Sequence, residues 1–187
     1  MPTSKSSAKV TSSTGKAQKP AASRAKSRGT NANPDAIQLL TEDHKEVKKL
    51  FKAYEKLVKD EAEGSERQSL AEQICKMLTV HATIEEEIFY PAAREALPDQ
   101  DLLDEAEVEH ASAKDLIAQI QAMGPEDDLY DAKVTVLGEY IDHHVKEEET
   151  EMFTKVKKAK LDMEQLGEEM SARKEELTAQ AGDPSMH

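Results

Sequence analysis

Apolar residues recur every three or four positions in four separate stretches of this chain, and a histidine fills one apolar position in each stretch. This spacing is typical of amphipathic helices that bury one face, so each histidine is expected to point inward. The four histidines are His44, His81, His110 and His144. Short connections rich in turn-forming residues separate the stretches. The sequence therefore predicts an all-α fold, an antiparallel up-down four-helix bundle.

The composition and length agree with one helical core and its tails. The chain has 187 residues, no tryptophan and 4% aromatic residues, which favours helices over a sheet and one domain over two. We expect order to begin near Asp35, with the bundle domain over residues 35–158. A further charged helical stretch from about Leu161 to Thr178 is expected to pack on the outside, within a C-terminal segment of residues 159–187.

Residues 1–34 form a basic tail that differs in composition from the rest of the chain. This tail contains seven Lys and Arg residues and no Asp or Glu, so the formal charge of −13 becomes −20 for the remainder once these seven are set aside. We predict a disordered tail on an acidic body. Because an acidic body repels nucleic acid and anionic lipid, any nucleic-acid contact is expected to be weak, salt-dependent and confined to the tail.

The expected location follows from three features of the sequence. No apolar run approaches the roughly 18 residues needed to span a bilayer, and the N-terminus has no apolar core of a secretory signal. Cys75 is the only cysteine, which favours a reducing compartment and a simple packing role. We therefore predict a soluble, cytoplasmic protein without membrane contact.

A glutamate follows the histidine by four residues in the second and fourth stretches. Residues four apart on a helix lie about 40° from each other around the axis, so both side chains can contact one metal cluster. Residues equidistant from the turn of an antiparallel hairpin lie side by side, and the midpoint of each histidine pair falls in a predicted turn. These relations place six side chains in one layer: His44, His81, Glu85, His110, His144 and Glu148.

Such a layer has a clear use as a metal site. Unpaired buried carboxylates are costly in the interior of a bundle, and metal ions remove that cost. Imidazole suits Fe, Zn, Cu and Ni, and its combination with carboxylates in a helical bundle favours two iron ions bridged by the glutamates. Zinc and manganese stay open as alternatives. No catalytic residue is assigned.

Neighbouring residues are expected to play other parts. His143 lies about 100° from His144 around the helix axis, so we expect it to be exposed or to support a ligand. For Glu86 and Glu149 two interpretations stay open, namely contact with metal, or a place as hydrogen-bond partner or solvated flank. Three further residues at helical spacing are expected in the core: Tyr54, Met77 and Met152.

An internal repeat joins these motifs, and their order and spacing resemble the hemerythrin HHE domain family over about Asp35 to Lys158. The motifs are Asp43-His44, His81-x3-Glu85-Glu86 with Ile88-Phe89-Tyr90-Pro91, Glu109-His110, and His144-x3-Glu148-Glu149 with Phe153. The resemblance implies an oxo- or hydroxo-bridged non-haem di-iron centre. It also implies that the four histidines are terminal ligands and that Glu85 and Glu148 are bridges.

The chain departs from oxygen-carrying hemerythrins at two positions. Those proteins place a second histidine four residues after the histidine of the third helix, where this chain has Lys114. Their last carboxylate corresponds to Glu149 rather than Glu148. Two octahedral ions offer about twelve coordination positions, and the implied ligands leave some of these open. The resemblance thus implies room for water, O2, peroxide or NO, or for a further ligand such as Glu86.

The prediction for function is a protein that binds iron and O2 or a related small molecule, in an intracellular sensing or stress role. An alternative is a di-iron enzyme that turns over peroxide or NO, because the sequence places no evident acid or base that would decide. A third reading is an acidic helical stress protein whose basic arm docks on nucleic acid. Turnover assays separate the first two, and deletion of residues 1–34 separates the third.

Overall fold

A computed structural model describes residues 33–181 of the chain, and all regular structure in that range is helical. The α-helices are α1 (Ala36–Lys59), α2 (Gly64–Ile84), α3 (Tyr90–Ala96), α4 (Asp101–Gln121), α5 (Tyr130–Glu147), α6 (Phe153–Lys158) and α7 (Met163–Gln180). Two π-helical turns, Glu85–Phe89 and Glu148–Met152, join α2 to α3 and α5 to α6. The predicted all-α class is confirmed over these residues.

The boundaries of α1 follow from local chemistry. Asp35 accepts a hydrogen bond from the backbone N–H of Gln38 at 2.9 Å, and the Gln38 side chain bonds back to the Asp35 backbone. This capping box supplies partners to N–H groups that the first turn leaves free. The helix ends before Glu61, whose φ of 50° is left-handed and cannot continue a right-handed helix.

Two connections lie at the same end of the molecule. A Cβ on Gly64, at the start of α2, would lie 2.6 Å from Glu126 Oε1 and 3.2 Å from Pro125 Cγ. The α1–α2 connection therefore contacts the α4–α5 connection, and glycine permits this close approach.

Helices α1 and α5 pack side by side in opposing directions. Between α1 and α5, the Tyr54 hydroxyl donates to Asp131 at 2.6 Å, and Lys48 lies 3.4 Å from Asp142. Rising residue numbers on α1 thus meet falling numbers on α5. Helix α1 also packs on α2, and α4 packs on α2 and α5, so these four helices surround a common interior. These contacts are the ones expected of the predicted antiparallel bundle.

The interior has two apolar regions separated by polar side chains. One region includes Leu40, Phe89 and Leu103, and the other includes Tyr54 and Leu137. Along each of the four helical paths, the inward-facing histidine falls between residues of the first region and residues of the second. The fold therefore encloses a polar layer between two apolar cores.

Helix α7 corresponds to the charged C-terminal stretch expected outside the bundle. It packs on α1 and α2, and its Met170 is fully buried against the first apolar region. A Cβ on Gly167 would lie 2.2 Å from Pro34 O and 2.8 Å from Ala36 N. The helix therefore contacts the backbone at the start of α1 so closely that only glycine fits there.

Pro91 lies within the helical path that follows α2 and does not end it. The path continues past this proline to Ala96. The π-helical turn precedes Pro91 and a new α-helix begins at Tyr90, so the proline lies in a first turn. A first-turn position needs no backbone N–H, which is why proline is tolerated there.

Some predicted segments lie only partly within residues 33–181, which the structure describes. The predicted basic tail falls almost wholly on residues 1–32, which lie outside it, as does the end of the C-terminal segment. Cys75 is 1% exposed and packs in the second apolar region. Between residues 33 and 181, no helix is both long and apolar enough to cross a membrane.

Candidate metal centre

The polar layer consists of the six side chains that the sequence places together. His44 Nε2 lies 3.2 Å from His81 Nε2, and His110 Nε2 lies 3.2 Å from His144 Nε2. All four imidazoles are buried between the two apolar regions. We call the following residues the inner layer: His44, His81, Glu85, His110, His144 and Glu148. Their roles as metal ligands are not tested by this geometry and stay a prediction.

The glutamates lie between the two histidine pairs. Glu85 Oε1 is 3.3 Å from His81 Nε2, and Glu85 Oε2 is 3.4 Å from His110 Nε2, so this carboxylate contacts both pairs. Glu148 Oε2 is 3.3 Å from His44 Nε2. Both carboxylates are at most 1% exposed. Glu85 is therefore positioned as a bridge between the two halves of the layer.

Each imidazole is held from behind by a carboxylate. The four pairs are His44 Nδ1 with Glu149 Oε1 (2.9 Å), His81 Nδ1 with Asp43 Oδ2 (3.4 Å), His110 Nδ1 with Glu86 Oε1 (2.9 Å) and His144 Nδ1 with Glu109 Oε2 (2.7 Å). A carboxylate accepts, so Nδ1 donates in each pair, and in a neutral imidazole Nε2 then presents its lone pair to the interior. We call these acids the carboxylate ring: Asp43, Glu86, Glu109 and Glu149.

The carboxylate ring follows a rule that the sequence does not reveal. Asp43 precedes His44 in the chain but holds His81 of the next helix, and Glu109 precedes His110 but holds His144. Each acid thus bonds to a histidine on a neighbouring helical path, and the four contacts pass around the whole bundle. Carboxylate partners of this kind fix the tautomer and orientation of metal-binding imidazoles.

The arrangement of nitrogen and oxygen atoms in the inner layer suits a bound metal ion. Lone pairs of Nε2 atoms face one another and face carboxylate oxygens, which is repulsive unless a cation lies between them. Among the described residues, no oxygen of Glu85 or Glu148 has a hydrogen-bond partner of good geometry, although imidazole nitrogens lie nearby. Ligand atoms about 2.0–2.1 Å from one metal ion lie about 3 to 3.4 Å apart, and the observed spacings fall near that range.

The pKa values of His81, Glu85 and Glu148 also show that negative charge is concentrated in the inner layer. Burial lowers the pKa of His81, but the Glu85 carboxylate and the hydrogen bond to Asp43 outweigh it and raise the pKa to about 10. Burial raises the pKa of Glu85, but His81 and His110 hold it well below its usual value. Burial and the charge of Glu85 raise the pKa of Glu148. The layer therefore needs positive charge, from protons or from metal.

The π-helical turns bring two aromatic residues to the layer. In a continuous α-helix, Tyr90 would lie about 140° around the axis from Glu85. In the π-helical turn, the Tyr90 N–H bonds to the Glu85 carbonyl five residues back, which places both on one face. The Tyr90 hydroxyl then donates to His110 Nε2 at 3.3 Å. In the other half of the repeat, Phe153 stacks on His44 at a 4° interplanar angle.

Tyr90 is a site residue that the sequence reasoning missed. Its ring is buried, and burial together with the charges of Glu148 and Glu85 raises its pKa well above the usual value. The signal was present in the repeat, because Tyr90 is aligned with Phe153 and differs from it by one hydroxyl. Without the π-helical turn, however, helical spacing directs that hydroxyl away from the layer.

The residues with open interpretations lie around the layer rather than in it. Glu86 and Glu149 bond to Nδ1 atoms, so they are hydrogen-bond partners. Lys114 contacts both oxygens of Glu86, at 2.7 and 2.5 Å. Lys114 thus fixes the carboxylate that holds His110. His143 is exposed, as expected. Met152 and Tyr54 are core residues, and Met77 is partly buried.

Comparisons with known proteins agree with the helical fold and with a cation-binding domain. The family model described as Hemerythrin HHE cation binding domain matches residues 35–156, and the chain belongs to that family. A crystal structure of a hemerythrin HHE cation binding domain-containing protein from Mycobacterium kansasii has a TM-score of 0.66 and 26% identity, covering 79% of this chain and 90% of that one.

A second relative is a larger protein. It is named DNA nickase, from Nostoc sp. strain PCC 7120, and is 31% identical over 112 residues, which are 59% of this chain and 32% of that protein. The chain therefore spans about a third of the length of this relative.

Proposed function

We propose that the chain is a non-haem di-iron protein that binds O2 or a related small molecule, such as peroxide or NO, in an intracellular sensing or stress role. The observation that carries the proposal is the convergence of four imidazole Nε2 atoms on two buried carboxylates, with every Nδ1 held by the carboxylate ring. The four histidines of the inner layer would be terminal ligands. Glu85 and Glu148 would be the bridges.

The donor set favours iron. Structural zinc takes four tetrahedral ligands and a closed site, whereas the inner layer offers two carboxylates and four imidazoles to be shared between two ions. Mixed imidazole and carboxylate donors on the helices of a bundle are typical of di-iron and di-manganese proteins. When bound, a pair of iron ions supplies a redox-active centre with positions for O2, peroxide or NO.

A cavity lies against two histidines of the inner layer. It has a volume of about 350 Å³, lies between α4 and α5, and is lined by His110 and His144 together with apolar residues such as Ala113 and Ile141. Apolar walls suit an uncharged diatomic molecule better than an anion. A cavity of this kind beside two of the histidines supports the binding of O2 or NO over a purely structural metal site.

Metal content and an optical spectrum test the proposal. The protein is purified without oxygen and then exposed to air, with metal measured per chain. We expect two irons and near-ultraviolet bands of an oxo-bridge, and a reversible visible band if O2 is carried rather than consumed. His81→Ala and Glu85→Ala should lose iron and lower Tm, while the control His143→Ala keeps its iron. Tightly held zinc in place of iron would overturn the di-iron assignment.

Turnover of peroxide or NO is the second candidate function, and Tyr90 is the observation that favours it. Its buried hydroxyl lies 3.3 Å from His110 Nε2 and can donate a hydrogen bond at the layer. Tyr90→Phe keeps the ring shape that Phe153 has in the other half. Loss of turnover in this variant, with iron content unchanged, would favour the enzyme. Equal turnover in variant and wild type would exclude a role for this hydroxyl.

A nucleic-acid function ranks third. The relative named DNA nickase and the seven basic residues of the tail suggest it, whereas the remainder of the chain carries a formal charge of −20 once those seven residues are set aside from the whole-chain −13. Replacing the seven basic residues with glutamine should abolish any salt-dependent DNA binding and leave the iron spectrum intact. Nicking of supercoiled plasmid by the full chain, lost with the iron, would place this function first.

The domain plan belongs to the same proposal. We infer an up-down antiparallel four-helix bundle over residues 35–158, with residues 1–34 as a disordered basic tail and residues 159–187 as a charged helix and tail. The packing of α1, α2, α4 and α5 supports the bundle. Limited proteolysis tests the tail, because cleavage should begin before Asp35 and stop there. The cytoplasmic location stays a prediction from the sequence.

A further inference from the structure

Three side chains on the surface form a second group of potential metal ligands beside the inner layer. His143 Nε2 lies 3.4 Å from Glu147 Oε1 and 3.7 Å from Glu109 Oε1. His143 and Glu147 are one turn apart on α5, and Glu109 faces them from α4. We call this group the outer cluster: Glu109, His143 and Glu147. One imidazole and two carboxylates suit a divalent transition-metal cation, with water in the remaining positions.

The outer cluster is connected to the inner layer by a shared residue. Glu109 Oε1 faces His143, while Glu109 Oε2 accepts the hydrogen bond from His144 Nδ1 at 2.7 Å. The cavity between α4 and α5 makes the same connection, because its lining includes His143 and Glu109 as well as His110 and His144. A cation held by the outer cluster is therefore one side chain away from the buried donors.

The internal repeat shows that this arrangement belongs to one half only. The positions equivalent to Glu109, His143 and Glu147 in the first half are Asp43, Val80 and Ile84. Val80 and Ile84 are buried, and α7 covers this side of the bundle, with its Lys174 in contact with Asp43. The first half thus has no counterpart of the outer cluster among the described residues. Ligand-type side chains occur on the side that α7 leaves open.

We propose that Glu109, His143 and Glu147 form a surface divalent-cation site that receives the metal ion before it enters the buried centre. This proposal rests on the inner layer being the metal centre. A hydrated cation loses its water in steps at such a site, and two carboxylates raise its local concentration beside the cavity. The site governs the rate at which the buried centre fills, and the inner layer governs how much metal it holds.

Loading of the full-length, metal-free protein with Co²⁺ tests the proposal, because Co²⁺ has visible bands and does not oxidise readily. Equilibrium dialysis counts bound ions, and stopped-flow absorbance gives the filling rate. Compared with wild type, we expect His143→Ala and Glu147→Gln to bind one fewer weakly held Co²⁺ and to fill the buried centre about 10-fold more slowly. Their final content at the buried centre stays at the wild-type level. Glu139→Gln, the same charge change elsewhere on α5, is the matched control and should load normally.

The outcomes separate this proposal from the metal centre itself. Wild-type rates and wild-type Co²⁺ counts in both variants would overturn it, as would equal slowing in Glu139→Gln, which would indicate general charge alone. A lower final Co²⁺ content at the buried centre of His143→Ala would place that histidine in the centre. This result would also overturn the proposal. The wild-type protein could instead bind one weakly held Co²⁺ while its inner layer stays empty, with the His143→Ala variant lacking that ion. In that case the outer site would stand and the proposed function would fail.

Discussion

Replacing Gly167 with alanine tests how tightly α7 is docked on the bundle. A Cβ at this position would lie 2.2 Å from Pro34 O and 2.8 Å from both Asp35 C and Ala36 N. These atoms belong to the backbone at the start of α1, so no side-chain rotation relieves the contact. Either α7 or the first turn of α1 has to move.

The size of the effect follows from two opposing contributions. Overpacking costs about 1–3 kcal/mol, and a contact this short belongs at the upper end. Alanine recovers about 1 kcal/mol over glycine through helix propensity. The expected net loss is about 2 kcal/mol, which lowers Tm by about 4–8 °C in a domain of this size.

Thermal unfolding followed by far-ultraviolet circular dichroism measures this loss. Gly138→Ala is the matched control, because its Cβ would meet the Phe51 ring at 3.0 Å, and a side chain at the surface of the bundle can turn aside. Its Tm should change by less than about 3 °C. A Gly167→Ala protein that melts at or above the wild-type temperature would refute the close docking of α7.

Three further predictions concern the centre and its surroundings. Glu149→Ala removes the carboxylate that holds His44 Nδ1 and should weaken metal binding about 10–100-fold in chelator competition; an unchanged affinity would contradict the role of the carboxylate ring. Lys174→Met removes the cation beside Asp43, one contact further out, and should speed metal release by only about 2–10-fold, whereas a wild-type rate would show that α7 does not influence the centre. In the metal-free protein, the pKa of His81 is raised from 6.5 to about 10, so its stabilisation is complete below pH 6.5 and is lost as pH rises through about 10. Tm of the metal-free protein should fall over that window, and a constant Tm would count against the assignment.

The helices and the inner layer could be predicted because they depend on local rules. Apolar spacing defines the inward face of each helix, and short turns place residues equidistant from them side by side. His44 and His81 meet at 3.2 Å for this reason, as do His110 and His144. The coarse fold and the convergence of the donors therefore follow from apolar periodicity together with the positions of the turns.

The carboxylate ring and the π-helical turns could not be predicted in the same way. Asp43 and Glu109 are next to histidines in the chain, yet they bond to histidines of other helices, which depends on how the helices pack. A π-helical turn has no composition of its own, and tertiary packing decides where the extra residue is accommodated. Because of it, Tyr90 faces the layer although α-helical spacing directs it elsewhere.

The sequence predicts that α7 packs on the outside of the bundle, but it does not predict which contacts hold the helix there. Seven of its eighteen residues are charged, and its weak amphipathic pattern does not identify a buried face. Its attachment depends on Gly167, on Met170 and on ion pairs such as Arg173 with Glu87 at 2.7 Å. These contacts are made with particular atoms of α1 and of the first π-helical turn. Apolar periodicity in the sequence does not predict contacts of this kind.

The carboxylate ring also has a consequence for how such a chain can arise. Two of its four pairs join helices of one hairpin, and two join helices of different hairpins. A lone hairpin would leave one of its two imidazoles without a partner, and a second hairpin supplies the missing acid. Two identical hairpins related by a two-fold axis would satisfy every imidazole. The chain thus carries, within one polypeptide, the arrangement of a homodimer of hairpins, and neither hairpin alone supplies a carboxylate partner for both of its imidazoles.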